Sequence, residues 1–152
     1  MNEFSELIMD CTNFTLKEIE RVETKIIKEL ENGAKTSSVK GLQMLRLQRA
    51  IFAVGIFSMF DAEMQDQLSC KDGFSEVSNI LNKGIDKNLS NQFRYYRLAI
   101  NVLKHGNGRS YNELLKDFQD LPFKIKQPGE FFFFEGDVSE INTLIEVDSA
   151  FV

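Results

Sequence analysis

Apolar side chains recur at helical spacing along most of this chain. Phe4, Leu7, Ile8 and Cys11 fall at i, i+3, i+4 and i+7, which predicts a short amphipathic helix at residues 1–11. Thr15-Leu16-Lys17-Glu18 has the form of a capping box and predicts a second start. Beyond it, Leu16, Ile19, Val22, Ile26, Ile27 and Leu30 share one face until Gly33. Residues 31–41 are polar enough to predict a connecting loop. The longest helix is expected over residues 42–68, its middle being the charge-free run from Ala50 to Phe60. A turn at 69–73 leads to a short helix over 74–83, with Val77, Ile80 and Leu81 inward and Gly84 as its stop. After a loop at 85–89, Ser90 is the expected cap of a helix reaching Lys104. Ser110-Tyr111-Asn112-Glu113 is a further capping box, opening a helix that carries Leu114, Leu115, Phe118 and Leu121 and that Pro122 closes.

The pattern then changes. Residues 123–126 alternate, Gln127-Pro128-Gly129-Glu130 reads as a turn, and Phe131 to Phe134 has high strand propensity, so 123–134 is expected to be a β-hairpin. Such a hairpin is marginal alone and must pack on the helices or on a partner. Asp137 to Leu144 reads as a short helix, and residues 145–152 give no assignable pattern. The expected fold is mainly α, an antiparallel bundle of five to six helices with a small C-terminal β-hairpin, in one domain over residues 1–152.

Candidate chemistry gathers on the helix that ends at the sole histidine. At about 100° per residue, Arg94, Arg97, Asn101, Lys104 and His105 fall within an arc of roughly 100°. Phe93, Tyr95, Tyr96, Leu98, Ala99, Ile100, Val102 and Leu103 fill most of the remaining circumference. A helix so apolar is largely enclosed, and its polar stripe must face solvent, a cleft or a subunit interface. The stripe holds donors for phosphate oxygens and one group that titrates near neutrality, and it holds no carboxylate. The same cations also suit the negative end of the helix dipole, which is the structural alternative. Gly106 and Gly108 turn the backbone away just after His105.

Asn101-Val102-Leu103-Lys104-His105, late on an amphipathic helix of a small helical protein, resembles the motif of the HEPN superfamily (higher eukaryotes and prokaryotes nucleotide-binding). The family pattern is an Arg, a polar residue such as Asn, then a few residues and the His. Here Ile100 stands where that Arg would be, with Arg97 one turn earlier on the polar face and Arg109 just downstream. The resemblance spans at best residues 4–121. It implies a homodimer with Asn101 and His105 of each chain near the two-fold axis, RNA or a nucleotide as ligand, and metal-independent endoribonuclease activity in a bacterial defence or toxin–antitoxin setting. A cognate antitoxin or another protein is then an expected partner. In that reading His105 is the general acid or base, Asn101 orients it, Arg97 stabilises the developing charge, and Lys104, Arg109 and Arg94 bind phosphate. The competing reading is a non-catalytic interaction module with a degenerate site, docked to a protein through its aromatic tail. Asp61 or Glu63, on the neighbouring helix, is placed to meet the cationic stripe or to be an ordinary solvated charge.

Composition narrows the classes. A chain of 152 residues with 43% hydrophobic residues, 14 of the residues being Phe, has enough apolar mass for one substantial core. Its net charge of −5 argues against a general electrostatic binder of nucleic acid and leaves room only for a local basic stripe. Cys11 and Cys70 are isolated, with no CxxC and no secretory leader, so a reducing cytoplasm without structural disulfides is expected. The apolar run at 50–60 is far short of the roughly 20 residues that span a bilayer, so no membrane association is expected. One His with two separated Cys does not make a zinc site, and Gly106-Asn107-Gly108-Arg109 lacks the P-loop pattern, so no metal or cofactor is expected. Ser110 reads as a cap rather than a nucleophile and Tyr111 as a packing residue. Phe131 to Phe134, with no Lys or Arg interleaved, suits core or interface better than base stacking.

Overall fold

The computed structural model describes residues 3–33, 35–133 and 138–152. Among these residues five helices run in the order α1 (Glu3–Glu31), α2 (Thr36–Gln67), α3 (Gly73–Lys83), α4 (Lys87–His105) and α5 (Arg109–Lys116), with a 3-10 turn at Phe118–Asp120. The bundle is as expected, but its first two helices are fused into α1. No Gly or Pro interrupts residues 12–15, Thr15 lies inside the helix, and the Thr12 hydroxyl donates to the Ile8 carbonyl (2.8 Å) as in a continuous helix. Glu18, the far end of the supposed capping box, pairs forward with Arg21 at 2.8 Å.

α1 and α2 form a long antiparallel hairpin. α2 begins at Thr36, one and a half turns earlier than its apolar pattern indicates, because Gly41 is the site of a close crossing rather than of a loop. A Cβ there would stand 2.9 Å from Ile26 Cδ1 of α1. Further along the hairpin, Arg49 of α2 is 6% exposed and donates two hydrogen bonds to Glu23 of α1, at 3.1 and 2.6 Å.

α3 and α4 are capped by aspartates. Asp72 accepts from the Ser75 N–H at 2.8 Å, and Asp61 of α2 reaches across to the Phe74 N–H at 2.9 Å. Gly73 permits this approach, since a Cβ there would lie 2.6 Å from the Asp61 carbonyl oxygen. Asp86, not Ser90, caps α4, accepting from the Leu89 N–H at 3.0 Å, while Ser90 donates to Asn82 of α3. At the other end Gly106 adopts φ 71° with an extended ψ, a combination open to glycine without steric cost, and its N–H bonds the Val102 carbonyl. Gly108 occupies the cap position of α5, so Ser110 lies inside that helix and makes no cap.

The β-hairpin is overturned: among the described residues there is no strand, only one antiparallel bridge between Ile125 and Ile145. The turn at 127–130 forms, with the Glu130 N–H bonded to the Gln127 carbonyl and Gly129 at φ 84°. The alternating segment nevertheless pairs with the far end of the chain, Lys126 N–H to the Leu144 carbonyl (2.9 Å) and Glu146 N–H to the Lys124 carbonyl (3.1 Å). Ile145 and Val147 supply the buried alternate positions that the Phe run does not, Ile145 being fully buried whereas Phe131 is 54% exposed. Phe134 and Asp137 lie outside the described residues, and 138–144 is not helical.

The core lies between α2, α4, α5 and this tail. Ala53, Ala99 and Leu114 are fully buried in it, together with Tyr95, Ile100 and Val102 of α4. Tyr96 of α4 meets Phe123 and Phe151 of the tail with ring centroids 5.2 to 5.4 Å apart. Tyr111 is buried and its hydroxyl donates to the Lys126 carbonyl, which ties α5 to the tail. Lys126 also forms a nearly buried ion pair with Glu140, and Gln43 of α2 donates to the Val138 carbonyl. Among the described residues no helix is long and apolar enough to cross a membrane, and Cys11 and Cys70 are free thiols.

The Glu23–Arg49 pair generates a test. Removing one member of a buried pair strands the other, so Glu23→Ala should cost about 3 kcal/mol in urea unfolding, and Glu23→Ala with Arg49→Met should cost less than that single change. The Arg49 hydrogen bonds hold the Glu23 carboxyl below its ordinary value of 4.5, with burial opposing and the Arg49 charge assisting. Its stabilising contribution is therefore complete above that value and lost as pH falls through the lower folded one. Unfolding free energies of wild type and Glu23→Gln measured across the acid range should converge toward the bottom of that range.

Candidate anion-binding groove

Two adjoining hollows border the polar stripe of α4. One, of about 390 Å³, lies toward α2 and the start of α3 and is lined by Asp61, Lys71, Asp72, Arg97, Asn101 and Lys104, with Ile100 contributing to its wall. The other, of about 530 Å³, lies between α3, α4 and α5 and is lined by Asn82, Asn91, Arg94, Arg97, Asn101 and Arg109 among others. Arg97 and Asn101 line both, so the two hollows adjoin at those residues as a two-part groove.

Arg97 is half-buried and held by neutral groups. Its guanidinium donates to the Ser75 and Ser78 hydroxyls of α3 at 3.1 and 3.3 Å. Ser75 passes its own proton toward Asp72, and Ser78 toward the Phe74 carbonyl. The Ser75 hydroxyl and N–H, helped by the charge of Arg97, keep the Asp72 carboxyl below the usual carboxylate range. Among the described residues Arg97 thus has no carboxylate bonded to it directly, and the Asp72 charge reaches it only through the Ser75 hydroxyl, so its guanidinium can still face a ligand.

The other expected residues divide by their partners. Arg94 is compensated, facing Asp117 at 3.0 Å and Glu113 at 3.5 Å. Glu113 is held below its usual range mainly by Lys116, with Arg94 and Arg109 contributing. Arg109 and Lys104 are exposed and make no hydrogen bond or ion pair with any described residue, and the same holds for Lys71. The structure therefore brings together Arg97, Asn101, Arg109 and Lys104 of the sequence-based set and adds Lys71.

His105 stands apart. It is the last residue of α4, exposed, without a hydrogen-bond partner among the described residues, and it lines neither hollow. The wheel places it on the stripe, but α3 and α5 flank the helix one to two turns earlier. Ile100 is 5% exposed and belongs to the core, touching the first hollow only as part of its wall. Asp61 meets the stripe in one hollow, though its oxygens already serve Phe74 and Gln65, while Glu63 accepts from Gln67.

The serines were legible in principle. Ser75, Ser78 and Asn82 recur at i, i+3 and i+7 on α3, a polar line that mirrors the one on α4. Lys71 lies in the connection before α3 and carries no periodic signal. A third hollow, of about 210 Å³ between the hairpin and the tail, is also lined by arginines. There Arg49 is matched by Glu23, and Arg46 stacks 4.1 Å over Phe133, so that site is built as packing. Comparison with protein-family models, curated proteins and solved structures returned no match.

The difference between a seated and a surface arginine is measurable. Ser75→Ala with Ser78→Ala removes two half-buried partners of Arg97 and should lower unfolding free energy by about 1–2 kcal/mol. Arg94→Ala, whose side chain is 45% exposed, should change it by less than about 1 kcal/mol.

Proposed function

We propose that this protein binds the phosphate groups of an RNA strand or nucleotide along the groove that follows α4. The observation that carries the reading is the seating of Arg97 by two serine hydroxyls, with no carboxylate bonded to it among the described residues, between a hollow that holds Arg109 and one that holds Lys71 and Lys104. An arginine so placed offers parallel N–H donors in a fixed plane, which suits phosphate oxygens. Asn101 beside it supplies both a donor and an acceptor for a sugar hydroxyl or a base edge. On an acidic chain this is a local basic seam, and it suits a short single-stranded segment better than a duplex.

The resemblance of Asn101 and His105 to the HEPN motif supports the choice of RNA. Binding is the part of that resemblance the groove supports best. A cleaving role for His105 needs the imidazole within hydrogen-bond reach of a 2′-hydroxyl or leaving oxygen, and it sits at the groove's outer margin instead.

Fluorescence anisotropy with a labelled single-stranded oligoribonucleotide, without divalent metal, tests the proposal. Affinity should fall with added salt at a log–log slope of about −2, for roughly three phosphates neutralised. Arg97→Ala should weaken binding about tenfold, and Arg109→Ala with Lys104→Ala by a similar factor. His105→Ala should leave affinity unchanged. Wild-type protein without affinity for the strand, or an Arg97→Ala variant that binds equally well, would remove the proposal.

A further inference from the structure

α1 and α2 expose an apolar face on the side away from the core. On α1, Phe4, Leu7, Cys11 and Phe14 recur at 3-4-3 spacing, and Leu7 and Phe14 are 62% and 67% exposed. The contacts of Glu23 with Arg49 and of Ile26 with Gly41 fix the register of the hairpin. With that register, the handedness of two antiparallel helices sets this stripe beside Ile51 and Met59 of α2, which are 65% and 44% exposed. Gly55, exposed between them, leaves the face open to a close approach. α4, the tail and the phosphate groove all lie on the other side of the hairpin. Single exposed apolar residues are ordinary, but a continuous two-helix stripe marks a surface that is covered.

We infer that this face is the interface with a second copy of the chain, the two α1–α2 hairpins closing into an antiparallel four-helix arrangement. Area is the first support: with roughly 100 Å² of apolar surface showing on each of the five large side chains, the face offers about 500 Å² per protomer, or about 1,000 Å² across a symmetric pair, the size at which specific interfaces begin. Charge is the second. Glu3, Asp10 and Lys17 border the stripe at i, i+7 and i+14, the flank that sets orientation when helices pair. An antiparallel partner that lays its Phe14 against Phe4 brings its Lys17 beside Glu3, and the two-fold axis repeats the pair. The same arrangement brings the two Asp10 side chains together near the axis, a like-charge approach. Both grooves then face outward, so this inference is independent of what the groove binds, and it places His105 of each chain away from the axis.

Sedimentation equilibrium of the full chain at micromolar concentration tests the interface. Wild type should sediment at twice the chain mass. Leu7→Asp and, separately, Phe14→Asp alter exposed positions, should keep the helical circular dichroism of wild type, and should raise the dimer dissociation constant at least about 100-fold. Asp10→Asn should tighten the dimer. Lys17→Glu should weaken it several-fold at low salt, with Glu3→Lys in the same chain restoring it. A monomeric wild type, or a dimer indifferent to both aspartate substitutions, would overturn the proposed interface. Failure of the charge exchange to restore affinity would overturn its antiparallel arrangement.

Discussion

Everything in this molecule is arranged about the enclosure of α4. Tyr95, Ala99, Ile100 and Val102 put the apolar side of that helix into the core, where Ala99 and Ala53 of α2 are both without exposed surface. Small residues at a helix crossing let backbones approach closely, and that leaves the larger rings to close the remaining side. Tyr96 provides that closure through Phe123 and Phe151. The polar stripe is what this packing leaves over. It cannot move independently of the core, which is why residues along it are suited to hold a ligand in a fixed geometry.

The neighbours then decide what each cation on the stripe can do. α3 gives Arg97 neutral partners, α5 gives Arg94 acidic ones, and the glycine turn at 106–108 carries Arg109 back to the groove edge. Arg94 and Arg97, neighbours on one helical wheel, therefore have different electrostatic fates, while Arg109 reaches the groove from a separate helix. The buried Arg49 makes the same point from the other side of α2: its charge is spent on Glu23, so burial and cationic character alone do not mark a binding residue.

What could be read from the chain follows from the range of the forces involved. The presence of α3, α4 and α5 and the stop at Gly106 are set by local periodicity and glycine, signals that sit in the sequence itself, whereas the starts expected at Ser90 and Ser110 and the helix expected at 137–144 do not form among the described residues. The false break before Thr15 arose because a capping box is only permissive; with no glycine or proline nearby, the Thr12 hydroxyl stays within the helix. The hairpin expected at 123–134 failed for a different reason. Alternation at 123–126 announces an extended segment but not its partner, and the partner with buried alternate positions, Ile145 and Val147, lies some twenty residues on. Likewise the stripe was visible on α4, whereas the serines that seat Arg97 come from another helix. His105 shares the stripe's azimuth, yet its height along the helix carries it past the walls of the groove.

The central claim is that phosphate recognition belongs to the seated Arg97 and its unpaired neighbours. Side-chain Nε–Hε resonances of the arginines, followed by NMR during titration with pyrophosphate, test it most directly. Saturable shifts at Arg97 and Arg109, with the Asn101 amide following and Arg46 and Arg49 unmoved, are the expected result. Shifts confined to Arg46 and Arg49, or no saturable shift at any arginine, would contradict it.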